Sequence, residues 1–309
     1  MKTNTVYPPA GEKFHPIRAN HVTASSVAAL FGENEYLSEW QLWHYIVQGP
    51  RAREAGLAAL LGTHLEAGVA AALETHEGMT LEKEPGYIYS EELRFGASLD
   101  FWCYRWGDRE FPDGVPLDIK CVSGPSWATR WKSGAEVPSV YYLQMIGQMA
   151  LTGTKTSFLG IMVAGSDLKV IEVEWNEAVW EAMRERLVAF WESVDQKRPP
   201  MADVKKDQDE LLRRFRHTTK GVTLDLTGDN HLHETAMRYR AVSEQHAAAS
   251  KIVRDLDKER TTLKAFIVEK IGSAETALVG NLRIESKTTA RKGFTVAASE
   301  SRSINVEEN

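Results

Sequence analysis

Asp118 and Lys120 stand two residues apart in a run, Val115 to Val122, that has the composition of a strand. Alternate side chains of a strand share a face, so the carboxylate and the ammonium lie side by side, while Leu117, Ile119 and Cys121 point into the opposite layer. Gly96-Ala-Ser-Leu-Asp100 brings a second acid on the preceding extended run. Two acids and a lysine on adjacent strands can hold a divalent metal and leave a cation beside the water that it activates, the minimum set for cutting a phosphodiester. Hard oxygen ligands suit Mg²⁺ or Mn²⁺ better than zinc. Lys120 can orient and help deprotonate the attacking water, or stabilise charge on the pentavalent phosphate. An aspartate and a lysine so spaced are also a common solvated ion pair, so the neighbours carry the rest of the argument.

The elements that must position these groups are legible around them. Leu93 to Val122 reads as a β-hairpin, with Phe95 to Tyr104 as one arm, a turn at Gly107 to Gly114, and Val115 to Val122 as the other. Asp113-Gly114 is a strong turn signal, although Asp113 in place of Asp100 remains an open alternative for the acid of the site. Leu57 to Glu74 carries Leu60, Leu61, Leu65, Val69 and Leu73 at helical spacing and contains Gly62-Thr-His-Leu-Glu66. Glu66 is either a third carboxylate projected onto the sheet or a surface glutamate. Ser139 to Thr152 reads as a helix, with Tyr141, Gln144 and Gln148 along one stripe. That stripe is either an exposed face or a neutral hydrogen-bonding partner for water or phosphate beside the site.

In order and content these blocks resemble the λ-exonuclease or YqaJ-type viral recombinase branch of the PD-(D/E)xK nuclease superfamily. The matching blocks are Arg18-Ala-Asn-His-Val-Thr-Ala-Ser25, Gly62 to Glu66, Ala97 to Asp100 with Asp118 to Lys120, and Tyr141-Tyr-Leu-Gln144. The resemblance implies an α/β fold, a mixed sheet flanked by helices of the restriction-endonuclease type, followed here by a long helix and a hairpin. It implies a metal site at Glu66, Asp100 and Asp118, with Lys120 and Gln144 as further catalytic groups. It also implies that Arg18 and Ser25 bind a 5′-terminal phosphate. A helix from Val27 to Phe31, capped by Thr23 or Ser25, makes an anion site there physically sensible. The family usually has Glu where this chain has Asp118, and Gly after the acid where this chain has Phe101.

The implied activity is a Mg²⁺- or Mn²⁺-dependent deoxyribonuclease, 5′ to 3′ on double-stranded DNA ends, leaving 3′ single strands for a single-strand annealing protein in phage-type recombination. A homo-oligomer, a ring of three, is implied with it. One rival is a structure-specific or restriction-type endonuclease on the same fold. The other is a non-catalytic DNA-binding or assembly protein with a decayed site.

Composition bounds these readings. The chain has 309 residues, 43% of them hydrophobic, enough for one good core and an appendage. A net charge of −6 argues against a protein that coats nucleic acid through displaced counterions. A locally basic channel remains compatible with it, and Trp127, Arg130, Trp131 and Lys132, in the loop after the second strand, are candidate DNA contacts, the tryptophans being more often core residues. Two cysteines, Cys103 and Cys121, are too few for an iron–sulfur cluster and read as buried free thiols. No apolar stretch is long enough for a membrane span and Met1 to Thr5 lacks a signal-peptide core, so the expected location is cytoplasmic, in a bacterial host cell if phage-encoded.

Along the chain, residues 1–200 read as the nuclease domain. Ser157 to Ala164 and Leu168 to Trp175 are further strands, the first central in a sheet. Glu177 to Val194 is a closing helix, and Pro199-Pro200 is the stop. Residues 201–230 read as a polar linker with a short helix, in which Arg213, Arg214 and Arg216 are a solvated basic face or a contact. Residues 231–309 read as an accessory module. His231 to Ile271 is a helix of about 40 residues, roughly 60 Å long, with a narrow apolar stripe suited to a coiled-coil seam or to packing on another chain. Thr276 to Ser286 and Gly293 to Val306 read as a hairpin.

Overall fold

The structure, a computed structural model, describes residues 1–9, 15–49 and 56–288. It divides into two compact units, Met1–Glu210 and Leu211–Asn309.

The first unit contains, in chain order, β1 (Asn4–Val6), β2 (Val22–Thr23), α1 (Glu39–Gln48), α2 (Leu57–Glu77), β3 (Met79–Lys83), β4 (Tyr87–Ser90), β5 (Phe95–Ser98) and β6 (Phe101–Trp106). It continues with β7 (Arg109–Val122), α3 (Gly124–Thr129), α4 (Ser139–Thr152), β8 (Thr156–Val163), β9 (Asp167–Glu174), α5 (Glu177–Asp195) and most of α6 (Val204–Arg214). The strands make two mixed sheets. One has the order β3-β6-β7-β8-β9, with β7 and β8 parallel and the other pairs antiparallel. The other has the order β1-β4-β5-β2.

The pleat of β7 and β8 separates two apolar layers. Leu117, Ile119 and Phe158 join Val69 and Leu73 of α2 in one core, whereas Leu159, Ile161 and Val163 join Met145, Ile146 and Met149 of α4 in the other. Gly160 marks the closest approach of α2, since a Cβ there would stand 2.6 Å from Leu73 Cδ1. α4 ends at Gly153, whose φ of 74° suits glycine and whose amide closes the last turn on Met149. α5 begins where the Asn176 side chain accepts the amide of Val179, and it buries Trp180, Met183, Leu187 and Phe190 against the α4 layer.

Several expectations change. The anticipated first arm of the hairpin is two strands in two sheets: β5 pairs with β4 and β2, and only β6 pairs with β7. The β6–β7 turn is Gly107-Asp108, and Asp113-Gly114 instead lies inside β7 at a register shift, with Gly114 at φ 71°. An Asp-Gly pair supports a bulge as readily as a turn, because both need a residue at positive φ. On α2 only the C-terminal half of the apolar stripe is covered: Val69 and Leu73 are buried, while Leu60, Leu61 and Leu65 are exposed. Cys103 is buried, but Cys121 is exposed.

The compact unit runs past Pro200. Asp207 is fully buried and accepts Ser38 Oγ at 2.7 Å and the amide of Asp203 at 2.9 Å, so the first part of the expected linker packs on the first unit.

The second unit has the rest of α6, then α7 (Asn230–Ile271), a 42-residue helix with no buried residue, and a hairpin of β10 (Thr276–Val279) and β11 (Leu282–Glu285). Asp229 caps α7 by accepting the amide of Leu232. The hairpin closes at Gly280-Asn281, inside the segment expected to be a single arm, because that pair is itself a two-residue turn with Gly280 at φ 60°. The expected second arm, 293–306, lies outside the described residues.

Candidate active site

β6 begins at Phe101, opposite Leu117, so among the described residues β7 has no strand partner on that edge from Asp118 onward. A cavity of about 460 Å³ opens at this free edge. It is lined by Arg18, Ser25, Glu66, Asp100, Asp118, Lys120 and Gln144, together with Lys83, Glu84 and Ser98. Thus α2, β7, α4, the β5–β6 junction and the segment before α1 each bring a polar group to one place.

Asp118 is buried, and both of its oxygens are engaged. Oδ1 accepts Gln144 Nε2 at 2.7 Å and Gln148 Nε2 at 3.2 Å, while Oδ2 pairs with Lys120 Nζ. Asp100 Oδ2 accepts the amide of Ile119 at 2.8 Å. Burial, and then the negative charges of Asp118 and Glu66, push the Asp100 carboxyl up to about 7, against the pull of Lys120 and of that amide. Burial on its own would lower the Lys120 ammonium. The charges of Asp118 and Asp100 outweigh it and hold the group above its ordinary value, so Lys120 is a cation at neutral pH. Its Nζ lies 5.2 Å from the centre of the Tyr141 ring.

Among the described residues no three His, Cys, Asp or Glu side chains gather closely enough to cage an ion by themselves. The donor set still fits a hard divalent cation. Mg²⁺ needs one or two carboxylates and takes its other ligands from water and phosphate. Burial first, and then the charges of Asp118 and Glu66, raise the Asp100 carboxyl, and a cation between the acids would relieve the second of these.

At the other side of the cavity Arg18 Nη1 donates to Ser98 Oγ at 3.3 Å. Burial lowers the Arg18 guanidinium from its ordinary value, with Tyr87 acting against it, and arginine remains charged throughout. Ser25 Oγ shares a hydrogen bond with Thr23 Oγ1 at 3.0 Å. The expected cap is corrected here. Val27–Phe31 is a five-residue 3-10 helix preceded by Ser26, which makes no side-chain cap and instead exchanges hydrogen bonds with Thr23. The helix is too short to be an anion site, so any phosphate affinity must come from Arg18 and Ser25 themselves.

The residues after β7 divide differently from expectation. Trp131 is 1% exposed, stacked on Tyr141 and tilted against Trp127, so it is core and unavailable to a base. Arg130 pairs with Glu35, and Lys132 pairs with Glu136 one turn on. Neither lines the cavity, and Trp127 is only half-buried. Asp113 lies on a separate groove with Trp102 and Lys155, away from Asp118.

Two contributors carried weak signals or none. Gln148 was visible only as a member of the Tyr141–Gln144 stripe, and its burial could not be read from spacing. Lys83 sits at a strand end with no motif around it.

Residues 13–155 match the YqaJ-like viral recombinase domain. No curated protein matches the chain. Among solved structures, an alkaline exonuclease (LHK-Exo) from Laribacter hongkongensis is 22% identical, with 63% of this chain and 96% of that one covered and a TM-score of 0.47. A phage-related exonuclease from Haemophilus somnus 129PT is 15% identical over 57% of this chain and 94% of that one, with a TM-score of 0.46. The acids, lysine, glutamine and arginine that line the cavity thus all lie within the segment, residues 13–155, that is similar to the YqaJ-like viral recombinase domain.

Proposed function

We propose that the chain is a metal-dependent DNA exonuclease that works 5′ to 3′ on double-stranded ends. The observation that carries this reading is the joint lining of one cavity by Asp100, Asp118 and Lys120 on one side and by Arg18 and Ser25 on the other. A divalent cation, Mg²⁺ or Mn²⁺, held by Asp100 and Asp118 with Glu66 nearby, would supply charge neutralisation at the phosphoryl oxygens and a more acidic water. Lys120, kept protonated by its aspartate neighbours, donates to the attacking water or to the developing negative charge on phosphorus. Gln144 holds Asp118 in place and offers no charge of its own. Arg18, held against Ser98, presents a guanidinium suited to a terminal phosphate, and Ser25 adds a hydroxyl.

In this reading a trimeric ring around DNA and a single-strand annealing protein would complete the recombination role that the family resemblance implies. Among the described residues no helix is long and apolar enough to cross a membrane.

The test is parallel digestion of 5′-phosphorylated linear duplex, 5′-hydroxyl linear duplex and closed circular DNA, with Mg²⁺ or with EDTA. Metal-dependent loss of the phosphorylated linear substrate, with intact circles, is expected. Cleavage of circles would replace this reading with an endonuclease. Binding without cleavage of any substrate would replace it with an assembly protein.

A further inference from the structure

Gln148 lies one helical turn beyond Gln144 on α4, and the two side-chain amides converge on the same atom, Asp118 Oδ1. Gln148 is 0% exposed, and among the described residues its buried Oε1 has no hydrogen-bond partner. Chemistry fixes which end of the amide faces the acid: an ionised carboxylate only accepts, so the nitrogen must point at it and the carbonyl must point away. Among the described residues the side chain's one hydrogen bond is therefore to Asp118, and the remaining polar atom is desolvated without return. A methionine or leucine would fill the same volume without that cost.

We infer that Gln148 is a positioning residue for Asp118, held in the core at the expense of stability so that the carboxylate presents one fixed oxygen to the cavity. The terminal torsion of an aspartate is soft, and without Gln148 its plane would be held only by Gln144 on one oxygen and the long Lys120 side chain on the other. Two donors on Oδ1, one turn apart on one rigid helix, define that plane and leave Oδ2 to Lys120 and to an incoming cation. The inference rests on the nuclease reading above and deepens it.

The test uses the full chain with Gln148→Met and, as a second volume-conserving change, Gln148→Leu. Three quantities are read: the melting temperature in EDTA, Mn²⁺ affinity by calorimetry without DNA, and the rate of degradation of linear duplex. A melting temperature equal to or above that of the native chain is expected, with Mn²⁺ affinity and cleavage each lowered roughly 10-fold to 100-fold, as for other groups that orient a metal ligand. Unchanged affinity and cleavage in whichever variant folds would overturn the inference. So would a fall in melting temperature that tracks the loss of cleavage, because that is the signature of packing alone. Asp118→Asn is the control for the underlying reading. If the native chain does not cut, the nuclease reading fails; if Asp118→Asn cuts as well as the native chain, the placement of Asp118 in the site fails; if Asp118→Asn is inactive while Gln148→Met is unaffected, only the role of Gln148 fails.

Discussion

The carboxylate of Asp100 accepts the backbone amide of Ile119 at 2.8 Å, which ties the acid that precedes β6 to the peptide between Asp118 and Lys120. β6 begins one residue later, so the amide that would otherwise be an open edge of β7 is satisfied by a side chain. One bond thus closes the ladder and fixes the spacing of the two acids.

That closeness has a measurable pH dependence. Burial and the charges of Asp118 and Glu66 raise Asp100 from 3.8 to about 7. Between those values the folded chain holds a proton that the unfolded chain has released, so stability falls as pH rises from about 4 through 7. In EDTA, the melting temperature of the native chain should drop from pH 5 to pH 8 relative to Asp100→Asn, whose side-chain oxygen can still accept from Ile119. A constant difference between the two across that range would show that Asp100 is not held in this way.

Lys120 is a half-buried cation fixed by Asp118 and shared electrostatically with Asp100. Replacing it with alanine should reduce cleavage by about 100-fold or more, while binding to DNA ends persists because Arg18 and Ser25 are untouched. Cleavage rate and end affinity, measured separately on one phosphorylated duplex, check this. Retained cleavage removes Lys120 from the mechanism.

Arg18 is braced by Ser98 on the far wall of the cavity. Arg18→Ala should abolish the preference for 5′-phosphorylated over 5′-hydroxyl ends and leave slow metal-dependent cutting of both. A preference that survives the substitution would place the terminal phosphate elsewhere.

The sequence exposed the strand face of the site better than its supports. Asp118 and Lys120 were legible because the two-residue period of a strand permits only one arrangement of neighbours. The helices around α4 and α5 were legible from their apolar spacing. Gln148 was ambiguous because a polar residue on a helix stripe reads as solvent-facing unless its partner is known, and Asp118 lies 30 residues away. Trp131 was left between two readings: a tryptophan after a candidate catalytic strand is more often core but can also stack on a base, and the ring of Tyr141 against it decides for the core. The division of Phe95 to Tyr104 between two sheets was hidden because local pattern specifies extended backbone and leaves the partner strand open.

The boundary of the first unit is the last consequence, and it can be tested far from the cavity. Ser38 caps α1 by accepting the amide of Gln41 and donates its own proton to Asp207, which also accepts the amide of Asp203. A fully buried carboxylate with two donors from separate segments fastens the start of α6 to the start of α1. Asp207→Ala leaves those two donors without their acceptor and should lower stability by about 1–3 kcal/mol, read as a shift of the urea midpoint at unchanged slope. Cleavage below the transition should be unaltered, since Asp207 does not line the cavity. A shift below about 0.5 kcal/mol, the range of ordinary surface substitutions, would mean that residues beyond Pro200 are a tether and not a part of the folded unit.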